Sequence, residues 1–333
     1  MDFSRLAKLS TAYWESRLLH VATKLGVFDL LASGPRDARE AASALGTDAR
    51  ATEIVLNALV AMELLEKRQG RFHNSPLAER YLTKRSPLYY GHMVLFEGSL
   101  WDVWGRLEEA LRNGGPLRDP DMFQGSESDT ELFIMAMHSL VRARGDAERV
   151  ASLIGLERVR TMIDIGSGPA TYPIAFKRLK PDLEVTAFDL PGTLAVTLRV
   201  LEAEGMEGAV RLVSGDYNTD QLPGGFDLAL LSNIIHSEPE ENNRQLLKKI
   251  HRSLNRGGRV VIKDHILSED GTSPAAGAIF SVQMLLVTRG RDYTLGEVRG
   301  WLEEAGFVDV EVIELPPPTS SSLVVATKPA GGD

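Results

Sequence analysis

His236 closes an apolar run, Leu228-Ala229-Leu230-Leu231-Ser232-Asn233-Ile234-Ile235, and is followed by the acid-rich Ser237-Glu238-Pro239-Glu240-Glu241. An imidazole titrates near neutrality, which suits it to take a proton from an acidic hydroxyl. Ser237 and Glu240 have the spacing of a capping box, so a helix is expected to open there. That puts His236 at the C-terminal tip of a strand, where open α/β sheets bind their ligands. A base histidine works better when a carboxylate orients its ring and stabilises the imidazolium. Asp264, ending Val260-Val261-Ile262-Lys263-Asp264, and Asp292, in Gly290-Arg291-Asp292-Tyr293-Thr294, are placed to do so. For Asp292 the plainer reading stays open: it precedes a helix whose own cap is Thr294 with Glu297. His20, His73, His92, His138 and His251 lack this combination of strand tip and acid partners, while His265 could reach the site.

A second group could hold a nucleoside. Asp164-Ile165-Gly166-Ser167-Gly168-Pro169-Ala170-Thr171 is a glycine-rich turn between a strand and a helix. Gly166 and Gly168 permit close backbone approach and left-handed angles. Phe188-Asp189-Leu190-Pro191 puts an acid at the end of the next strand, 23 residues after Gly166, where it can accept ribose hydroxyls. Ser214-Gly215-Asp216-Tyr217 supplies a further acid and a ring for an adenine. The alternative for Asp216 is a simple turn role after Gly215. The first two features also suit a nicotinamide dinucleotide; the acid at the third strand tip does not follow from that reading.

These residues need a scaffold of alternating strands and helices. From Thr161 onward the β-branched runs TMIDIG, EVTAFDL, AVRLVSG, FDLALLSNII and RVVIKDHIL alternate with helical stretches, except for a short third-to-fourth connection. This argues for an α/β fold with a parallel sheet. VDVEVIEL and SLVVATK are separated only by PPPTSSS, too short for a parallel crossover, and should pair antiparallel. The first 90 or so residues read as helices followed by a hairpin turning at Gln69-Gly70, the order of a winged helix. Residues 91–155 read as a helical connector.

The chain has 333 residues, formal net charge −9 and no cysteine. The length suits two domains. The acidic balance argues against nucleic acid, and the lack of cysteine excludes disulfides and thiolate metal sites. No signal-like or membrane-spanning apolar stretch is evident, so a soluble cytoplasmic protein is expected.

DIGSGPAT, FDLP and GDY together resemble the motifs of the class I methyltransferases, specifically the dimeric O-methyltransferases of the caffeic acid, acetylserotonin and bacterial polyketide type. The resemblance covers nearly the whole chain. It implies a Rossmann-like sheet of five parallel strands plus a C-terminal antiparallel pair, an N-terminal all-helical winged-helix-like dimerisation domain (1–90), a connector and acceptor-pocket wall (91–155) and a catalytic domain (156–333). It implies S-adenosyl-L-methionine as cofactor, with the methionine part at Gly166 and Gly168, ribose at Asp189, and adenine at Asp216 and Tyr217; Asp164, Leu190 and Ser232 complete the cofactor set. It implies His236 as general base flanked by Asp264 and Asp292, where the family carries glutamates. It further implies a homodimer, no metal, and a small aromatic or polyketide-like acceptor. The acceptor would lie between the two halves, against Phe133, Met137, Phe280 and Met284, with Trp101 or Trp104 closing the pocket. An NAD-dependent oxidoreductase and a regulator that senses S-adenosylmethionine remain as alternatives.

Overall fold

In the computed structural model, residues 2–317 and 319–331 are described. The chain divides into two compact units, Met1–Trp101 with Met135–Ala143, and Asp102–Ile134 with Arg144–Asp333.

In the first unit Gly26, in the left-handed region, ends the helix Tyr13–Leu25 and starts Val27–Ala32. Asp37 caps Ala38–Leu45 in a full capping box with Glu40, and Asp48 caps Ala49–Ala61. The sequence Gln69-Gly70 turns the hairpin Leu65–Arg68/Arg71–Asn74, both residues having positive φ (50° and 77°), as a two-residue hairpin with right-handed strand twist requires. Phe28, Leu56, Leu59 and Phe72 form its buried centre. The helix Phe3–Thr11 buries none of its side chains. Trp101 is taken up within this unit: its ring packs near Tyr13 and His20, with the Arg17 guanidinium 4.7 Å from the ring centroid.

The second unit is built on a seven-stranded sheet. Its strands are β1 (Thr161–Ile165), β2 (Glu184–Asp189), β3 (Val210–Ser214), β4 (Phe226–Ser232), β5 (Leu254–Asp264), β6 (Val308–Glu314) and β7 (Ser322–Thr327). The order is β6-β7-β5-β4-β1-β2-β3. Strands β1 to β5 pair in parallel, and β7 runs antiparallel to both β5 and β6. The expected five parallel strands and antiparallel C-terminal pair are therefore present. The strand order reverses between β1 and β4, the switch point at which such sheets open a crevice. Helices α1 (Thr171–Leu179), α2 (Pro191–Ala203), α3 (Glu240–Ser253), α4 (Ala275–Val287) and α5 (Leu295–Glu304) follow the strands. Ile163, Ala229, Leu231, Val260, Ile262 and Val324 are wholly buried, as apolar strands covered on both faces must be.

Strand β5 carries two adjacent charges into the interior. Lys263 is buried with its Nζ 3.6 Å from buried Asp146 and 3.3 Å from Asn233 Oδ1. Alternation along the strand sends the next residue, Asp264, to the other face. No described helix is long and apolar enough to cross a membrane.

Candidate active site

Three distant segments converge on one imidazole. A 3₁₀ turn, Ile235–Ser237, follows β4 and holds His236 buried. Its Nδ1 lies 2.6 Å from Oδ1 of Asp264, the wholly buried last residue of β5. Asp292 arrives on the loop between α4 and α5. Its Oδ2 accepts from Ser281 Oγ at 3.1 Å, and its backbone N–H donates to the same hydroxyl oxygen at 3.0 Å. One polar side-chain atom from each of His236, Asp264 and Asp292 lies within 4.8 Å of the other two. Asp292 thus lies with His236 and Asp264, while Thr294 and Glu297 cap α5 separately, as their spacing predicts.

The electrostatics follow from burial. Desolvation alone would lower the His236 pKa, but the charges of Asp264 and Asp292 outweigh it and raise it above the ordinary histidine value. Burial disfavours the Asp264 carboxylate, yet the His236 ring and the backbone N–H of His265 hold its pKa below the usual range. Burial pushes Asp292 up to about 7, with the like charge of Asp264 adding to it and His236 opposing it. Oδ2 of Asp264 and Oδ1 of Asp292 are buried and have no hydrogen-bond partner among the described residues. With Nδ1 on Asp264, His236 has Nε2 left to face a ligand; among the described residues it has no hydrogen-bond partner, and it is not sealed from solvent.

Gly290 makes this assembly possible. A Cβ there would run into the carbonyl oxygen of His236 and come within 2.7 Å of the backbone of Glu238. The loop bearing Asp292 therefore packs directly on the backbone bearing His236. Tyr293 adds a hydrogen bond from its hydroxyl to the Glu238 carbonyl at 2.6 Å.

The glycine turn after β1 uses left-handed angles at Gly166, Gly168 and Ala170. A Cβ on Gly166 would collide with Ile234 Cδ1, whereas one on Gly168 would meet only Ile134 Cδ1 at 3.9 Å. The Gly166 N–H donates to the Phe188 carbonyl at 2.9 Å. Asp189 accepts from the N–H groups of Gly168 and Leu190, both at 2.7 Å. Burial nevertheless raises its pKa to about 6. Asp164 lies beneath the turn, accepts from Ser167 Oγ at 2.9 Å, and is raised by burial to about 7. The Tyr217 ring lies beside Gly166, since a Cβ there would be 3.6 Å from Tyr217 Cε1. Ser232 ends β4, opposite Lys263 of β5. A carboxylate at a strand end, an open glycine and a neighbouring aromatic ring form a donor set that fits a nucleoside with an amino-acid tail.

Some expectations fare differently. The capping box at Ser237 and Glu240 does not form: α3 begins at Glu240 behind Pro239, with no side-chain cap. Ser237 is in the 3₁₀ turn, and Glu240 pairs instead with Arg244 and the Trp301 indole. The side chain of Asp216 is engaged in its own turn, accepting from Asn218 N at 2.8 Å and Thr219 Oγ1 at 3.3 Å. Glu238, which the sequence did not single out, is buried and accepts from Tyr217 Oη, Asn218 Nδ2 and Asn242 Nδ2. It joins the Tyr217 side of the crevice to the loop carrying His236. Glu238 and Gly290 are missed because their roles depend on which backbones meet, and only proximity to His236 or Asp292 in the chain could have flagged them.

Of the residues expected to line the acceptor, Phe280 reaches His236. Its ring centroid is 5.0 Å from that of His236, edge to face. Met284 is buried one turn further along α4. Phe133 stacks on Phe123 within the second unit at 4.7 Å, and Met137 belongs to the first unit.

Comparison with known proteins places these features. The O-methyltransferase domain matches residues 121–308, and the O-methyltransferase dimerisation domain matches residues 7–84. The chain is 34% identical over 330 residues to 3-hydroxy-5-methyl-1-naphthoate 3-O-methyltransferase of Streptomyces sahachiroi, covering 97% of this chain and 94% of that one. It is 32% identical to the N,N-dimethyltransferase OxyT of Streptomyces rimosus, covering 97% and 96%. The crystal structure of human N-acetylserotonin methyltransferase in complex with SAM superposes with a TM-score of 0.89 at 26% identity, covering 98% and 97%.

Proposed function

The chain belongs to the O-methyltransferase family, with S-adenosyl-L-methionine as its cofactor, and from that premise we propose that it methylates a hydroxyl of a small aromatic acceptor with His236 as general base. The observation that carries this reading is the buried His236–Asp264 pair, with Nε2 of the imidazole open beside Phe280. The relatives include both oxygen and nitrogen methylating enzymes by name, so the acceptor atom is argued from the site. A phenolic hydroxyl loses a proton on methylation and needs a base to take it.

The cofactor supplies a methyl group already activated on a sulfonium. The rest is the work of this chain. Gly166, Gly168, Asp189, Leu190 and Ser232 hold the nucleoside and its amino-acid tail, with Asp164 supporting the turn from beneath and Tyr217 placing its ring on the adenine side. We assign the adenine-side carboxylate to Glu238 or Asp216, of which Glu238 is the more buried. Asp264 keeps the His236 proton on Nδ1, which leaves the Nε2 lone pair free for the acceptor hydroxyl. As that proton arrives, the Asp264 carboxylate stabilises the imidazolium. Asp292 adds negative potential at the same ring once ionised. Phe280, Met284 and Phe133 supply the apolar surface for a flat acceptor, and alignment of acceptor and methyl provides the remaining acceleration.

The reading extends to assembly. The exposed apolar residues Phe3, Leu6, Leu9, Tyr13 and Trp14 lie in or beside the segment matching the dimerisation domain, and support a homodimer in which residues 1–90 form the interface, 91–155 a pocket wall and 156–333 the catalytic domain.

The test is His236→Ala with phenolic acceptors. Methyl transfer should fall roughly 100- to 10,000-fold, the usual share of a general base, while calorimetric binding of S-adenosylhomocysteine stays within about threefold of wild type, less than one hydrogen bond is worth. Turnover surviving the substitution removes His236 as the base.

A further inference from the structure

We propose that His265 determines acceptor specificity: its Nε2 accepts a hydrogen bond from a second donor group on the acceptor, distinct from the hydroxyl that is methylated. This rests on the reading that His236 takes the proton, and extends it to the shape and chemistry of the molecule that binds there.

Two histidines share one carboxylate oxygen and one phenyl ring. Oδ1 of Asp264 accepts from the His265 backbone N–H at 2.8 Å and lies 2.6 Å from His236 Nδ1. The Phe280 ring centroid is 5.0 Å from the His236 ring and 5.0 Å from the His265 ring. A flat acceptor lying against Phe280 with its reacting hydroxyl at His236 therefore brings its neighbouring positions within reach of His265. Helix α4 is held close on this side, because a Cβ on Gly277 would be 3.4 Å from His265 Cβ.

The two rings are set up for different tasks. His265 Nδ1 lies 3.2 Å from the Ser320 carbonyl oxygen and 3.3 Å from Ser320 Oγ. A carbonyl oxygen can only accept, so the proton is on Nδ1 and the lone pair on Nε2. Among the described residues Nε2 has no hydrogen-bond partner, and the residue is only partly buried. Burial holds the His265 pKa down at about 4, with Asp264 opposing and His236 contributing to the fall. His265 therefore stays neutral at working pH and is too weak a base to compete with His236, whose pKa is raised. It remains a fixed acceptor for an O–H or N–H. A site built to accept such a bond rejects molecules that lack the donor, because its polar atom is then left unpaired.

Binding of 1-naphthol, 1,2-, 1,3- and 1,8-dihydroxynaphthalene to enzyme saturated with S-adenosylhomocysteine, followed by calorimetry, tests this. At least one diol should bind wild type about 10-fold more tightly than 1-naphthol, the upper range for one hydrogen bond. His265→Phe and His265→Leu, which remove the acceptor, should abolish that preference while leaving 1-naphthol within about threefold; His265→Gln, which keeps an acceptor, should retain part of it. Wild type without any diol preference overturns the proposal, as does a preference that survives both apolar substitutions or an equal loss for 1-naphthol and the diols. Failure of His236 as base would show separately, as turnover in His236→Ala, and would leave these binding ratios unchanged.

Discussion

The two sides of the crevice are built in opposite ways. On the glycine side the carboxylates are satisfied by backbone and hydroxyl donors: Asp189 by two backbone N–H groups, Asp216 by its own turn, Asp164 by Ser167. On the histidine side, Asp264 and Asp292 each retain a buried oxygen without a partner among the described residues, and the three groups come from segments 28 residues or more apart along the chain. The first side is a preformed cradle whose carboxylates are already paired. The second is an assembled cluster whose unpaired atoms are energetically costly. Function on that side depends on how distant backbones meet.

If that contrast is right, damage on the histidine side should appear in turnover and damage on the glycine side in binding. The largest effect is expected from Asp264→Asn. It should lower kcat about 1,000-fold, since the amide can hold the wrong tautomer and cannot stabilise the imidazolium, with binding of S-adenosylhomocysteine nearly unchanged. The His236 pKa, raised in the wild type by this carboxylate, should fall. The rate depends on the neutral imidazole, so its rising limb should lie above the ordinary histidine pKa in wild type and move to lower pH in the variant. A pH–rate profile with the same midpoint in both would break the link between the two residues.

Gly290→Ala should follow. The added methyl meets the backbone of His236 and Glu238, so kcat should drop about 100-fold, the cost of misplacing a reacting group by about 1 Å, and Tm should fall as well. An alanine variant with wild-type turnover would show that the loop has another way to seat Asp292. Asp189→Ala is the converse probe. It should weaken binding of S-adenosylhomocysteine about 10- to 100-fold, as loss of charge-assisted hydrogen bonds does, with kcat at saturating cofactor much less affected. An equal loss of kcat would erase the distinction between the two sides.

The smallest effect concerns stability. The folded pKa of Asp164 is raised to about 7, above its unfolded value, so the native protein holds this proton longer than the unfolded chain. Stability from this residue is therefore lost as pH rises from about 4 to about 7. Asp164→Asn keeps an acceptor for Ser167 without the charge. It should melt about 3 °C or more above wild type at pH 8 and at nearly the same temperature near pH 4; a difference independent of pH would mean that the carboxylate is not the cause.

The same contrast explains what could be read from the sequence. Local rules gave the glycine turn, the acids at the ends of β2 and β3, the strand alternation and the hairpin at Gln69-Gly70, because each is fixed by residues a few positions apart. His236 and Asp264 were legible as residues at adjoining strand tips. The capping box at Ser237 was misread because Pro239 starts α3 later and Glu238 is drawn to Tyr217. The partners of Asp292 could not be found that way. Ser281 and Gly290 act through packing between elements, and no spacing rule encodes that. The tie of Trp101 to Tyr13, Arg17 and His20 has the same origin.

The buried Lys263 beside Asp264 on β5 has a consequence for how the sheet aligns. Sliding β5 by a single position in one direction would bring the Lys263 ammonium to the imidazole, and in the other would bring the Asp264 carboxylate to Asp146. Either slip would bury a mismatched charge, with no water to screen it. Opposite charges on consecutive residues thus act as a key that admits one alignment of the central strands, and it is that alignment which delivers Asp264 to His236.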